Sequence, residues 1–134
     1  MLYAVSEDGH RIRAEPRSVG FCPGCGDLLR PRCGAVNIRH WAHRNGPDCD
    51  SWYESETEWH LAWKELAGPD HCEIVIGDHR ADIVGREGIV IELQHSSISA
   101  EEIAERERFY RSMVWIVDAH DLFDRFYVAK RARE

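Results

Sequence analysis

The sequence lacks any long apolar run. Its longest stretches without a polar residue span only a few positions, far short of the roughly 20 needed to cross a bilayer as a helix. No N-terminal segment joins a basic flank to a long apolar stretch, so no secretory leader is expected. The five cysteines are an odd number, which excludes a fully paired disulfide framework. Internal repeats and low-complexity tracts are also missing. The expectation is a soluble cytoplasmic protein with reduced thiols and no membrane partner. Positive charge is scarce too: 17 Lys and Arg stand against 24 Asp and Glu, a net charge of −7. That balance argues at first against nucleic acid, because neutralisation of phosphates by Lys and Arg supplies most of the affinity.

The distribution of the charges points the other way. Residues 9 to 45 carry seven arginines against Glu15 and Asp27, a balance of +5, and the chain from residue 46 carries the acidic excess. A basic front and an acidic rear suit a phosphate-facing module joined to a carboxylate site. With 43% apolar and 31% charged residues, 134 positions suffice for one packed domain, or a small core with an appended module.

The opening "MLYAVSEDGHRIRAE" alternates apolar and polar residues about Asp8-Gly9, which predicts a hairpin. Residues 51 to 67 place Trp52, Trp59, Trp63 and Leu66 near helical spacing, with Ser51 as N-cap, and Gly68-Pro69 ends that helix. "CEIVIG", "RADIVG" and "GIVIELQ" read as three strands. A Ser-x-x-Glu box at Ser99 opens a second helix, "MVWIVD" reads as a fourth strand, and the remainder as a terminal helix. A crossover through the second helix brings the fourth strand beside the earlier ones, giving a mixed sheet flanked by helices.

Chemistry collects at two places. Side chains alternate along a strand, so Glu92 and Gln94 project together, about 6.7 Å apart at their Cα atoms. Asp82 lies across a short Gly-bounded turn on the adjoining strand. Glu56, His60 and Lys64 follow at i, i+4 and i+8, one helical face. Convergence of these groups makes an oxygen-rich pocket for Mg²⁺ or Mn²⁺, although the same acids alone also suit the wet face of a hairpin. The second place is residues 20 to 50, rich in Gly, Pro, Cys and His and too poor in apolar residues to build a core. Cys22-Pro-Gly-Cys25 is a knuckle in which two thiolates grip one zinc ion, and its remaining ligands come from His40, His43, Cys33 and Cys49. His43 and Cys49 are favoured, with His40 as the alternate, and Cys33 and Cys72 read as plain buried thiols.

In that order "CPGC", "HWAH", "ESETEWHLAWK", "ADIV", "IELQHS" and "ERERFY" before "MVWIVD" resemble the competence protein CoiA family, whose core is similar to the PD-(D/E)XK nucleases. The resemblance implies an α/β (α+β), restriction-endonuclease-like core over residues 51–134, in αβββαβ order, behind a hairpin and zinc module over residues 1–50. It makes Asp82 and Glu92 ligands of the catalytic metal and Glu56 the acid that completes or orders the site. Gln94 stands where the pattern usually has Lys, and a neutral amide is neither a cation nor a base. Gln94 can still orient a water while His60 or Lys64 moves a proton or meets a phosphate. Ser96, Arg106 and Tyr110 also match the family pattern, Arg106 as a phosphate contact. The implied function is metal-dependent hydrolysis of DNA phosphodiesters in DNA processing, recombination or competence-like uptake, with Arg30, Arg32, Arg39 and Arg44 on the DNA backbone. The alternative is a non-catalytic DNA-binding accessory that keeps the fold as a scaffold. A zinc hydrolase built on "HWAH" is weaker, because His-x-x-His lacks the Glu of helical zinc proteases.

Overall fold

The computed structural model describes residues 1–120. The expected terminal helix lies outside the described residues. The front of the chain forms two antiparallel hairpins. In the first, β1 (Tyr3–Val5) pairs with β2 (Arg11–Arg13), and the Ser6 hydroxyl closes the turn by donating to Asp8 and accepting from the His10 N–H. In the second, β3 (Leu29–Arg32) pairs with β4 (His40–His43), Leu29 opposite His43 and Arg32 opposite His40. Phe21 bridges the two through single pairings with Val5 and Leu28.

The segment that is poor in apolar residues therefore borrows its core. Met1, Ala4 and Ala14 pack with Cys22, Leu29 and Trp41, and the Trp41 indole N–H donates to the Ile12 carbonyl at 3.1 Å. Neighbouring residues of the same segment face elsewhere: Leu2 and Tyr3 join Leu61, Cys72, Ile83 and Leu93 in a second core. Strand β1 thus lies between both clusters and fastens them together.

Helix α1 (Glu58–Ala67) starts later than an N-cap at Ser51 would place it, because its N-cap is Thr57. Thr57 caps it reciprocally: the Thr57 hydroxyl accepts the His60 N–H, and the His60 ring accepts the Thr57 N–H at 3.3 Å. Residues 50 to 52 serve a competing turn, in which Asp50 accepts the Trp52 N–H at 2.9 Å. Trp52 then stacks flat on His79, ring centroids 3.3 Å apart.

Four strands follow in spatial order β5 (Cys72–Ile76), β6 (His79–Val84), β7 (Val90–Gln94) and β8 (Met113–Val117). The first three are antiparallel; α2 (Ala100–Tyr110), capped by the Ser99 hydroxyl, carries the chain across so that β8 lies parallel to β7. The fold is the mixed α+β arrangement expected, helix, three strands, helix, strand, behind small hairpins. Among the described residues no helix is long and apolar enough to cross a membrane.

Gly20 marks the tightest contact in the first core. A Cβ there would stand 2.6 Å from the Ala4 Cβ and 2.9 Å from the Trp41 ring. Gly20→Ala should therefore destabilise the protein by about 1–3 kcal/mol through overpacking. Urea unfolding checks this, and an unchanged midpoint would show that Trp41 moves aside at no cost.

Candidate carboxylate centre and metal site

The strand pairing opens where the acids stand. Backbone pairing of β6 with β7 covers Ile83–Ile91 and Val84–Val90, and the next residues in register are Asp82 and Glu92. Here side chains replace the ladder: Glu92 Oε1 accepts the Asp82 N–H at 3.2 Å, and Asp82 Oδ2 accepts the Leu93 N–H at 2.9 Å. On the other side of β6, Cys72–Ile83 and Ile74–Ala81 are paired, which sets Glu73 in the row of Asp82. Glu73 has a left-handed backbone (φ 54°) and is 1% exposed. Three consecutive strands thus contribute three acids in one row, Glu73, Asp82 and Glu92.

Buried charge demands compensation. Most of it comes from the two helices. Lys64 of α1 lies 2.9 Å from Asp82 Oδ1 and 3.5 Å from Glu73 Oε1, and it donates to Glu56. Burial opposes its charge, but Asp82, Glu56 and Glu73 outweigh burial and hold the ammonium well above the ordinary lysine range. Glu56 sits before α1 and also meets the Met1 amino group at 2.6 Å. Burial opposes its ionisation too, and Lys64 together with that amino group outweighs it and lowers its pKa. Arg106 of α2 reaches Glu92 Oε2 at 3.2 Å, Glu102 at 2.5 Å and the Trp52 carbonyl at 3.1 Å.

Compensation is incomplete at Glu92. Burial and the neighbouring Asp82 push the Glu92 carboxyl up to about 8, against the pull of Arg106 and Lys64. Asp82 and Glu92 line a cavity of about 40 Å³ with Lys64, Arg80, Gln94 and Tyr110. That volume has room for a small ion and water but not for a nucleotide base.

The structure distributes the predicted residues unevenly. Asp82, Glu92, Lys64 and Glu56 meet around the cavity. His60 lines it as well, but its ring nitrogens are engaged by Thr57 and by the Leu93 carbonyl at 3.1 Å. Gln94 donates to Ser96 O at 2.9 Å and to Glu54 at 3.2 Å. Arg106 is 4% exposed, bound within the protein, whereas Arg30, Arg32, Arg39 and Arg44 are exposed. Glu73, Glu54 and Arg80 belong to this centre although no spacing or motif singles them out. A lone acid inside "CEIVIG" is the available signal for Glu73, since a charge in a buried strand needs a partner.

The cysteine cluster forms a separate site. Cys22, Cys25, His43 and Cys49 each bring one ligand atom to a common centre, all four atoms within 4.8 Å of one another. Cys22 Sγ is 3.6 Å from Cys49 Sγ, and Cys25 Sγ is 3.5 Å from His43 Nε2. Tetrahedral zinc at its usual bond lengths needs ligand separations of roughly 3.3–3.8 Å, and these two contacts lie in that range. The knuckle is shaped by Gly26 (φ 78°), whose N–H donates to the Cys22 carbonyl at 2.9 Å, and by the Gly24 N–H aimed at Cys22 Sγ. Burial and the neighbouring thiols push the Cys49 thiol up to about 12, and burial raises that of Cys25, a penalty that a divalent cation at their centre removes. His40 is turned away, its Nδ1 2.9 Å from the Ile38 carbonyl. Cys33 packs against the first core, and Cys72 is wholly buried.

Residues 10–51 match the model of the competence protein CoiA N-terminal domain, and residues 74–126 match that of the CoiA nuclease-like domain. The chain belongs to the competence protein CoiA family. Among curated proteins and among solved structures nothing matches. The cysteine cluster, Cys22 to Cys49, falls in the CoiA N-terminal match, and Asp82 and Glu92 fall in the CoiA nuclease-like match. Glu56, His60, Lys64 and Glu73 lie between the two.

Two expectations follow. Protein purified without chelator should contain about one zinc per chain, retained in Cys72→Ser and lost in Cys22→Ser, as read by elemental analysis. Equal loss in both variants would reassign the ligands. In buffer free of Mg²⁺ and Mn²⁺, Glu92 keeps its proton up to about 8 in the folded state, against an ordinary value of 4.5. Between those values the folded chain binds more protons than the unfolded one, so stability should fall as pH rises through this window. Melting temperatures of Glu92→Gln should lack that fall; the same fall in the variant would place the titration elsewhere.

Proposed function

We propose that this protein is a divalent-metal-dependent deoxyribonuclease of PD-(D/E)XK type that acts in competence-related DNA processing or recombination. The observation that carries this reading is the pair Asp82 and Glu92, in register where β6 and β7 part, with Lys64 2.9 Å from Asp82. Asp82 and Glu92 hold the Mg²⁺ or Mn²⁺, and Glu56 with Glu73 keeps Lys64 charged and in place. The bound ion supplies charge stabilisation at the scissile phosphate and lowers the pKa of water. The raised pKa of Glu92 beside Asp82 favours this, because a divalent cation between them would let both acids ionise together.

Gln94 is neutral where the common motif carries Lys, and Lys64 supplies the missing positive charge from α1. Because it stays protonated, Lys64 serves to meet phosphate charge and not as a base. Gln94 and Glu54 stand together at the cavity and orient the attacking water. His60, held at both ring nitrogens, positions β7 against α1.

Residues 1–50 serve as the zinc-stabilised DNA-facing module and residues 51–134 as the nuclease core. Arg30 and Arg32 alternate on β3 with Leu29 and Pro31, so burying Leu29 turns both arginines to solvent. Arg39 and Arg44 flank β4 and are exposed. Four arginines on the second hairpin make a positively charged surface for the DNA backbone. A non-catalytic DNA-processing accessory is the second reading, favoured by the ion pairs that already occupy Asp82 and Glu92.

Wild-type protein with Mn²⁺ should cut single-stranded, duplex or branched DNA, and EDTA should stop it. Asp82→Ala and Glu92→Ala should each lower turnover by about 10²-fold or more while DNA affinity persists. Gln94→Lys should retain some cleavage. Absence of cutting by wild type on every substrate, or equal cutting by Glu92→Ala, would leave the accessory reading. For the basic surface, Arg30→Ala with Arg32→Ala should flatten the salt dependence of DNA binding by about one to two units of slope. An unchanged slope would move the DNA contact away from β3.

A further inference from the structure

Three side chains connect the cysteine cluster to the carboxylate centre. Asp48 precedes the ligand residue Cys49, and its Oδ2 lies 3.4 Å from Nδ1 of His43, whose other nitrogen faces Cys25. The same Asp48 oxygen accepts from Arg80 Nη2 at 2.9 Å, and Arg80 Nη1 points at Cys22 Sγ, 3.9 Å away. Asp50, which follows Cys49, accepts the Arg80 backbone N–H at 2.7 Å and lies 2.8 Å from the His79 ring. His79 and Arg80 open β6, just before Asp82, and Arg80 lines the same cavity as Asp82 and Glu92. The Asp48 and Arg80 side chains are 5% and 7% exposed, so water screens this pair little.

We propose that Arg80 is a positioning residue, a strut through which the zinc-bearing loop holds strand β6 and thereby the Asp82 carboxylate, so that occupancy of the zinc site governs the order of the carboxylate centre. The role assigned to Asp82 rests on the nuclease reading; the strut itself does not. A carboxylate that orients a metal-binding histidine commonly changes metal affinity by 10–100-fold when lost. Here that carboxylate has a second partner. Arg80 fixes Asp48 together with His43, and its guanidinium faces the Cys22 sulfur at the same time. Asp50 adds a backbone anchor, so the loop grips β6 at two successive residues. Losing zinc releases the Cys49 loop from Cys22 and Cys25, and with it the grip on β6.

The test uses the full zinc-loaded chain and two readouts that need no cleavage. Zinc transfer to a coloured chelator should be about 10- to 100-fold faster in Arg80→Met and Asp48→Asn than in wild type. Arg80→Lys, which keeps the charge but not the fork geometry, should fall between them and wild type. Hydrogen exchange at residues 79 to 84 should rise about tenfold or more when zinc is removed from wild type, and should already be raised in zinc-loaded Arg80→Met. Leu61→Ala, which opens the second core without touching this loop, should lower the melting temperature yet release zinc at the wild-type rate. Wild-type zinc release from Arg80→Met, unchanged exchange on zinc removal, or accelerated release from Leu61→Ala would each overturn the strut. If Arg80→Met does not fold, Arg80→Lys and Asp48→Asn carry the same two readouts. Should the strut hold while wild type neither binds Mn²⁺ nor cuts DNA, the nuclease reading fails alone; cleavage with wild-type zinc release from Arg80→Met overturns the strut alone.

Discussion

The compensation of buried acids by Lys64 is the constraint on which the rest of the molecule depends. One ammonium group faces Glu56 before α1, Glu73 on β5 and Asp82 on β6. Each carboxylate would be costly to bury alone, and so would the lysine. Removing any member leaves an uncompensated charge next to the second core, because Leu61 of the same helix packs there against Cys72 and Ile83. The helix therefore sits where the charges balance as much as where its apolar side packs. Glu73 extends the same constraint to the N-terminus, accepting the N–H groups of Leu2 and Tyr3 at 2.7 and 3.0 Å. Its left-handed backbone is the local cost of aiming that carboxylate inward.

This arrangement explains why a chain with two separate clusters of polar side chains folds as a connected whole. The N-terminal segment contributes Met1 and Ala4 to one core and Leu2 and Tyr3 to the other. Glu73 ties that segment to β5, and the Asp48, Asp50 and Arg80 contacts tie the cysteine loop to β6. The cysteine cluster and the carboxylate centre consequently share the strand β6. A family whose N-terminal and nuclease-like parts match separate models still joins them here through short polar contacts between buried groups.

Much of this is legible in the sequence. Asp8-Gly9 between alternating segments, the Cys22-Pro-Gly-Cys25 knuckle, the strand alternation through Glu92 and the box at Ser99 are local signals, and each element formed near its place. The pairing of Asp82 with Glu92 could be anticipated because a short turn allows few registers. The start of α1 could not. Ser51 and Thr57 are both competent caps, and the choice went to Thr57 because Trp52 gains a flat stack on His79, a residue far along the chain.

By itself the sequence determined the elements whose causes lie within a few residues: periodicity, turns, caps and the spacing of thiols. Only the tertiary structure decided that Glu73 joins the acid row, that Lys64 stands between Glu56 and Asp82, that Arg106 is turned inward to Glu92, and that Arg80 meets the cysteine loop. The physical reason is that charge compensation is not local. A buried carboxylate takes whichever cation the packing of distant elements delivers, and neither spacing nor composition records that delivery.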